Sequence, residues 1–163
     1  MADNRRSVVI GIGNPDRGDD AVGRAVTQWL HGKMSPDVEV IEQEGEMTSL
    51  LACIEDVSSA YLIDACSAGG PAGRVLRFDV AAAPLPYGTF NMSTHGPGLA
   101  EAIELARALD QLPARCIVYA VEAQSFEQGA PLSAPVRAAV AAVGEQVREE
   151  ICGADAPEGR PNA

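Results

Sequence analysis

"SVVIGIGNPDRGDDAVGRAVTQWL" (residues 7–30) decides how this chain folds. It opens with an apolar run, Val8 to Ile12, rich in β-branched residues and stopped by Gly13. A short run of that kind suits a strand buried on both faces. Asn14-Pro15 then turns the chain, and Asp19 and Asp20 stand side by side before a new periodicity begins. Val22, Val26, Trp29 and Leu30 recur at helical spacing, and the two acids fall where a helix N-terminus favours negative charge. A buried strand, a glycine-bearing turn and an amphipathic helix form the first half of a βαβ unit.

The same alternation continues along the chain. "DVEVIEQ" (37–43) reads as a strand, "EMTSLLACIED" (46–56) as a short helix, and "AYLIDAC" (60–66) as a second buried strand. "RVLRFDV" (74–80) alternates with a period of two and suits an edge strand. Residues 81–98 are rich in Pro and Gly and read as a loop. A helix then carries Leu99, Ile103, Ala106 and Leu109 on one face. "ARCIVYAVE" (114–122) is another buried strand. Ser133 is placed to cap a last helix with Val136, Val140, Val143, Val147 and Ile151 inward. Strands alternating with helices imply an α/β three-layer sandwich, with a mostly parallel twisted sheet of about five strands and helices on both faces. One domain is expected over residues 1–152, followed by a polar, disordered tail at 153–163.

Composition narrows the function. The 163 residues carry a formal charge of −11, with 12 Lys plus Arg against 23 Asp plus Glu. The Arg residues are scattered, so neither nucleic acid nor an anionic membrane is an expected partner. No stretch approaches the ~18 apolar residues of a membrane span, and a cytoplasmic location is expected. The four cysteines form no C-x-x-C pair, which argues against a zinc ribbon or a thioredoxin motif.

In open α/β sheets, ligands bind beyond the carboxyl ends of the strands. Loops expected there carry Asn14, Asp16, Asp19 and Asp20 after the first strand, Asp64 after the third, and His95 in the long 81–96 segment. A further loop begins near Glu122. Asp19 reads as a support for the helix start. Asp20 taken alone is equally a solvated first-turn acid, and His95 alone is more often a structural loop residue. Together, two carboxylates and an imidazole with open positions suit a borderline divalent ion such as Ni²⁺, Zn²⁺ or Fe²⁺. Dinucleotide binding fits poorly, because the third glycine of G-x-G-x-x-G falls at Asp16 and two further acids stand where a pyrophosphate would lie.

These motifs resemble the [NiFe]-hydrogenase maturation endopeptidases. "GIGNPDRGDDAVG" is similar to that family's G-x-G-N turn and acidic pair, and "LIDACSAGGPAGRV" to its strand-ending D-A. "STHGPGL" resembles its helix-opening S-x-H, and "FEQGAPLSAPV" its closing Glu, Gly and L-S-x-x-V. The resemblance runs from about residue 7 to 150. It departs at Ala21, where the family has Gly after the acidic pair, and at Pro71-Ala72-Gly73, which stands for a P-G step.

The resemblance implies an endopeptidase that removes the C-terminal extension of a nickel-loaded [NiFe]-hydrogenase large-subunit precursor. Asp20, Asp64 and His95 would form the metal-recognising site, with Gly13, Asn14 and Asp19 as its supporting loop. No tightly bound cofactor is implied, because the nickel belongs to the substrate. The metal would either polarise the scissile bond or serve as a tether, with Asp20 or Asp64 acting as base. The same three residues would also serve a non-cleaving, nickel-dependent checkpoint or chaperone. "GIGNP" is similar to the start of peptidyl-tRNA hydrolases too, but those need a histidine soon after the strand, and here the first is His31.

Overall fold

A computed structural model describes residues 6–86 and 98–154. Five strands of the described residues form one sheet: β1 (Ser7–Ile12), β2 (Val38–Gln43), β3 (Ser59–Cys66), β4 (Val75–Asp79) and β5 (Arg115–Glu122), in the spatial order β2-β1-β3-β5-β4. β1 pairs in parallel with β2 and β3, and β3 with β5. β4 lies on the edge, antiparallel to β5, with Phe78 opposite Val118.

Among the described residues four α-helices cover the sheet: α1 (Val22–Leu30), α2 (Met47–Ile54), α3 (Leu99–Ala108) and α4 (Ala134–Ala154). Alternate residues of each buried strand point to opposite faces, so each face has its own core. Val9, Tyr61, Ile63, Ile117, Tyr119 and Val121 pack against α1 and α4. Val8, Ile10, Leu62 and Val118 pack against α2 and α3. The three-layer α/β sandwich read from the sequence is the observed fold.

Local departures have local causes. Glu46 accepts from the N–H groups of Thr48 and Ser49, so α2 starts one residue later than its pattern suggested. Leu109 was expected on the inner face of its helix. It lies past the last helical residue, at the C-cap, and is 54% exposed. Val136, Val143, Val147 and Ile151 of α4 are buried, while Val140 is only partly so and Ala139 takes the inner position beside it. α4 runs through Gly153 to Ala154, so the expected tail loses its first two residues, and 155–163 lie outside the described residues.

The direction of β4 changes where the next segment starts. The long loop was expected at the carboxyl end of the sheet. Because β4 is antiparallel, it ends beside the start of β5, where the Val80 N–H donates to the Cys116 carbonyl at 3.0 Å. Arg107, near the end of α3, donates to the Val80 carbonyl at 2.7 Å. α3 thus finishes at the amino end of the parallel strands. At 1.5 Å per residue it rises ~15 Å towards their carboxyl end, where it begins.

α1 sits unusually close to the sheet. A Cβ on Gly23 would stand 2.4 Å from the Ile63 carbonyl oxygen and 2.6 Å from the Ile12 nitrogen, and one on Gly11 would stand 2.3 Å from the Gly23 oxygen. Two side-chain-free positions let the start of the helix rest on the ends of β1 and β3.

Candidate active site

β1 runs into Gly13, whose φ of +137° is a conformation that residues with a Cβ avoid. A Cβ there would lie 1.8 Å from the Asp20 carbonyl oxygen. The turn is therefore folded tightly back on the acidic pair. A 3₁₀ turn over Gly18–Ala21 carries Asp19 and Asp20 into α1.

The two acids have opposite fates. Asp19 is 1% exposed. Among the described residues its side chain bonds only to the segment after β5 and to Ser133. Its carboxylate accepts from the N–H groups of Gln124 (2.8 Å), Ser125 (3.2 Å) and Ser133 (2.7 Å), and from the Ser133 hydroxyl (2.8 Å). Burial alone would raise its pKa, but the bonds from Ser133, Gln124 and Ser125 outweigh burial and hold it below the usual carboxylate range. Asp19 anchors the loop after β5 and the start of α4, not the start of α1.

Asp20 is half-buried. Its Oδ2 accepts from the Asn14 N–H at 2.9 Å, and Oδ1 takes no hydrogen bond among the described residues. Asp64, near the end of β3, accepts from the Ala65 N–H at 2.8 Å. Burial pushes the Asp64 carboxyl well above the usual carboxylate range, and the nearby charge of Asp20 pushes it further. The two acids, 44 positions apart by their numbers, are near enough for the charge of Asp20 to act on Asp64.

A second buried acid ties in the third loop. Glu122 ends β5 at 2% exposure. It accepts from the N–H groups of Ala68 (3.1 Å) and Gly70 (3.2 Å) and pairs with Arg74 at 3.1 Å. Asp19 thus fastens the β1 loop to the β5 loop, and Glu122 fastens the β5 end to the β3 loop. The Gly129 N–H also donates to the Asp16 carbonyl at 2.6 Å, and Arg17 lies over the Phe126 ring at 5.3 Å.

His95, the third residue singled out from the sequence, lies outside the described residues, as does the rest of 87–97. Among the described residues no group of three His, Cys, Asp or Glu side chains could hold a metal ion. His31 follows the last turn of α1, at the opposite end of that helix from Asp20. The sequence reading passed over the stapling roles of Asp19 and Glu122, and it passed over Arg24. An acid closing a fully buried strand, as Glu122 does, was the available signal, because such a group is costly unless it is satisfied.

Arg24 donates from Nε to the Gly13 carbonyl at 2.8 Å and pairs through its terminal nitrogen with Glu42 at 3.1 Å. The arrangement is a pair of carboxylates, each accepting from a backbone N–H and one of them raised in pKa, on a frame of loops locked by two buried acids. Such a pair suits divalent-cation binding or proton transfer.

Comparison with known proteins bears on the fold and the family. A family model described as hydrogenase maturation protease matches residues 25–150, a span that starts just after the acidic pair and includes Asp64 and His95. No match was found among curated protein sequences. Among solved structures, the chain is similar to the hydrogenase maturating endopeptidase HybD from E. coli, with 23% identity over 92% of this chain and 94% of that one and a TM-score of 0.75. It is similar to an endopeptidase from Escherichia coli solved in solution, with 24% identity, 92% and 94% coverage and a TM-score of 0.79. The [NiFe] hydrogenase maturation protease HycI from Thermococcus kodakarensis KOD1 aligns at 25% identity over 89% of this chain and 91% of that one, with a TM-score of 0.68. With the family model covering well over half of its length, the chain belongs to the hydrogenase maturation protease family, a family of peptide-bond hydrolases.

Proposed function

We propose that the protein removes the C-terminal extension of a [NiFe]-hydrogenase large-subunit precursor after nickel has been inserted, and that Asp20, Asp64 and His95 recognise that nickel. The observation that carries this reading is the acidic pair. Asp64 is half-buried beside the Asp20 carboxylate, and its pKa is raised by burial and by that neighbour. Two like charges in that position are unfavourable to each other and become favourable around a cation. Nickel held in the precursor supplies that charge, so the precursor is gripped only once it is loaded. His95 adds the imidazole donor that suits nickel better than oxygen ligands alone. Beside the turn, an open cleft of about 250 Å³ between Ala21 and Arg24 on one side and Pro131 and Leu132 on the other gives a peptide segment room to approach.

The raised pKa of Asp64 favours a second role within the same reaction. A carboxyl that holds its proton to higher pH than a free one can give it to a leaving amine, while the ionised partner takes one from water. Asp64 and Asp20 are assigned those roles. The nickel-dependent grip and the proton transfers then use the same two carboxylates in turn.

The test is mass analysis of nickel-loaded and nickel-free precursor after incubation with the wild-type protein and with Asp20→Asn, Asp64→Asn and His95→Ala. Loss of a C-terminal segment from the loaded precursor alone, abolished in the three folded variants, is the expected result. A loaded precursor that binds and leaves intact would mark a non-cleaving checkpoint. Full processing by His95→Ala and Asp20→Asn would remove the nickel-recognition assignment.

A further inference from the structure

We propose that Arg24 is a positioning residue for Asp20, acting through a single peptide group; this rests on the assignment of Asp20 to the nickel-recognising site. The Gly13–Asn14 peptide is gripped on both sides. Its carbonyl accepts from Arg24 Nε at 2.8 Å, and its N–H donates to Asp20 Oδ2 at 2.9 Å. No peptide in the described chain is cis, so the carbonyl and the N–H of this unit point in opposite directions. The guanidinium and the carboxylate therefore stand at the two ends of one peptide dipole, positive charge at the oxygen and negative charge at the hydrogen.

The unit is fixed in orientation by more than these two bonds. The Gly13 N–H donates to the Gln43 carbonyl of β2 at 3.0 Å. Arg24 is itself braced by Glu42 at 3.1 Å, and the buried Thr27 hydroxyl, which donates to the Arg24 carbonyl at 2.8 Å, lies 3.2 Å from the other Glu42 oxygen. The Arg24 and Glu42 side chains are only 18% and 30% exposed, so water weakens the pair less than it would on an open surface. Linked hydrogen bonds of this kind polarise one another. The guanidinium sharpens the Asn14 N–H as a donor. Asp20 is then held by Oδ2, and Oδ1 is turned free for a ligand. Among the described residues Arg24 makes no hydrogen bond to Asp20 itself, and its effect on that carboxylate passes through the backbone.

The experiment follows the Asn14 amide by ¹⁵N–¹H NMR and processing of nickel-loaded precursor in Arg24→Met, Arg24→Lys and Asp20→Asn. In Arg24→Met the Asn14 amide resonance is expected to move towards its Asp20→Asn position and to exchange faster, with processing down ~10-fold or more, as for other outer partners of a metal-site ligand. Arg24→Lys, which keeps one charged donor within reach of the Gly13 oxygen, is expected to recover part of both. An Asn14 amide unmoved in folded Arg24→Met, with processing intact while Asp20→Asn is inactive, would overturn the role of Arg24. A moved Asn14 amide together with full processing by Asp20→Asn would leave the Arg24 contact standing and overturn the assignment of Asp20 instead. Should Arg24→Met not fold, Glu42→Gln loosens the guanidinium while keeping its Nε donor. A smaller shift of the same resonance then supports the proposal, and no shift overturns it.

Discussion

Asp19 and Ser133, 114 positions apart in sequence, are joined twice: the Ser133 backbone N–H and its hydroxyl both donate to the Asp19 carboxylate, at 2.7 and 2.8 Å. The link fixes the start of α4 to the turn after β1. Its energetic weight follows from burial. A surface helix cap is worth ~1 kcal/mol, whereas removing a buried acceptor strands every donor that pointed at it.

Asp19→Ala is accordingly expected to cost ~2 kcal/mol or more, since three part-buried bonds, from the N–H groups of Gln124, Ser125 and Ser133, lose their buried acceptor. Asp19→Asn keeps one acceptor oxygen and is expected to cost less than Asp19→Ala. Urea melts of the two variants against wild type check the size and the order.

Stability should depend on pH in two opposed ways. Asp19, held below the usual carboxylate range, contributes stability that is present above its unfolded value near 4 and is lost as pH falls through its lower folded value. Asp64, raised well above that range, contributes stability that is full below its unfolded value and is lost as pH rises through its folded value. The protein is expected to be most stable in mildly acidic solution. Thermal melts from pH 3 to 8 should show a decline towards neutrality in wild type that Asp64→Asn flattens. An equal decline in both would place its origin elsewhere.

A divalent cation should reverse the neutral-pH loss. Dialysis against a chelator is expected to leave the melting temperature of the purified protein unchanged, since the proposed function assigns the nickel to the substrate. Added Ni²⁺ should raise the melting temperature at pH 7.5, by an amount corresponding to ~2.7 kcal/mol at a hundredfold excess over its dissociation constant. Asp20→Asn and Asp64→Asn should each lose most of that increment. Stoichiometric nickel surviving the chelator would contradict the expectation.

Gly23→Ala should destabilise by ~2 kcal/mol or more, because its methyl would meet the Ile63 carbonyl at 2.4 Å and α1 would have to lift from the sheet. Gly153→Ala, with nothing within 4 Å of the added methyl, is expected to be neutral or to stabilise by up to ~1 kcal/mol. Calorimetry on the two variants separates a close-contact glycine from an incidental one.

The layered fold was legible because its signals are local. The run Val8–Ile12 and the helical spacing of Val22, Val26 and Leu30 each report burial from a few neighbouring residues. The direction of β4 carried no such mark, since alternation at Val75–Asp79 reads the same either way. The short 67–74 connection was the usable clue, as parallel strands need a crossover of a dozen residues or more. Asp20 and Asp64 were legible as acids at strand ends. The burial of Asp19 was not, because its donors arrive more than a hundred residues later. Arg24 was hidden for a similar reason: its partners are a backbone carbonyl and an acid on another strand.

The packing of α1 on α4 has an optical consequence. Trp29 is the chain's single tryptophan. Its ring lies where a Gly144 side chain would be, 2.3 Å from that absent Cβ, with the Lys33 ammonium 4.5 Å from the ring centroid. It stands at the far end of the helix whose first turns follow Asp20 and include Arg24. The indole emission is therefore a built-in, label-free gauge of how α1 sits on its neighbour, and stopped-flow can read it when the proposed precursor substrate is added.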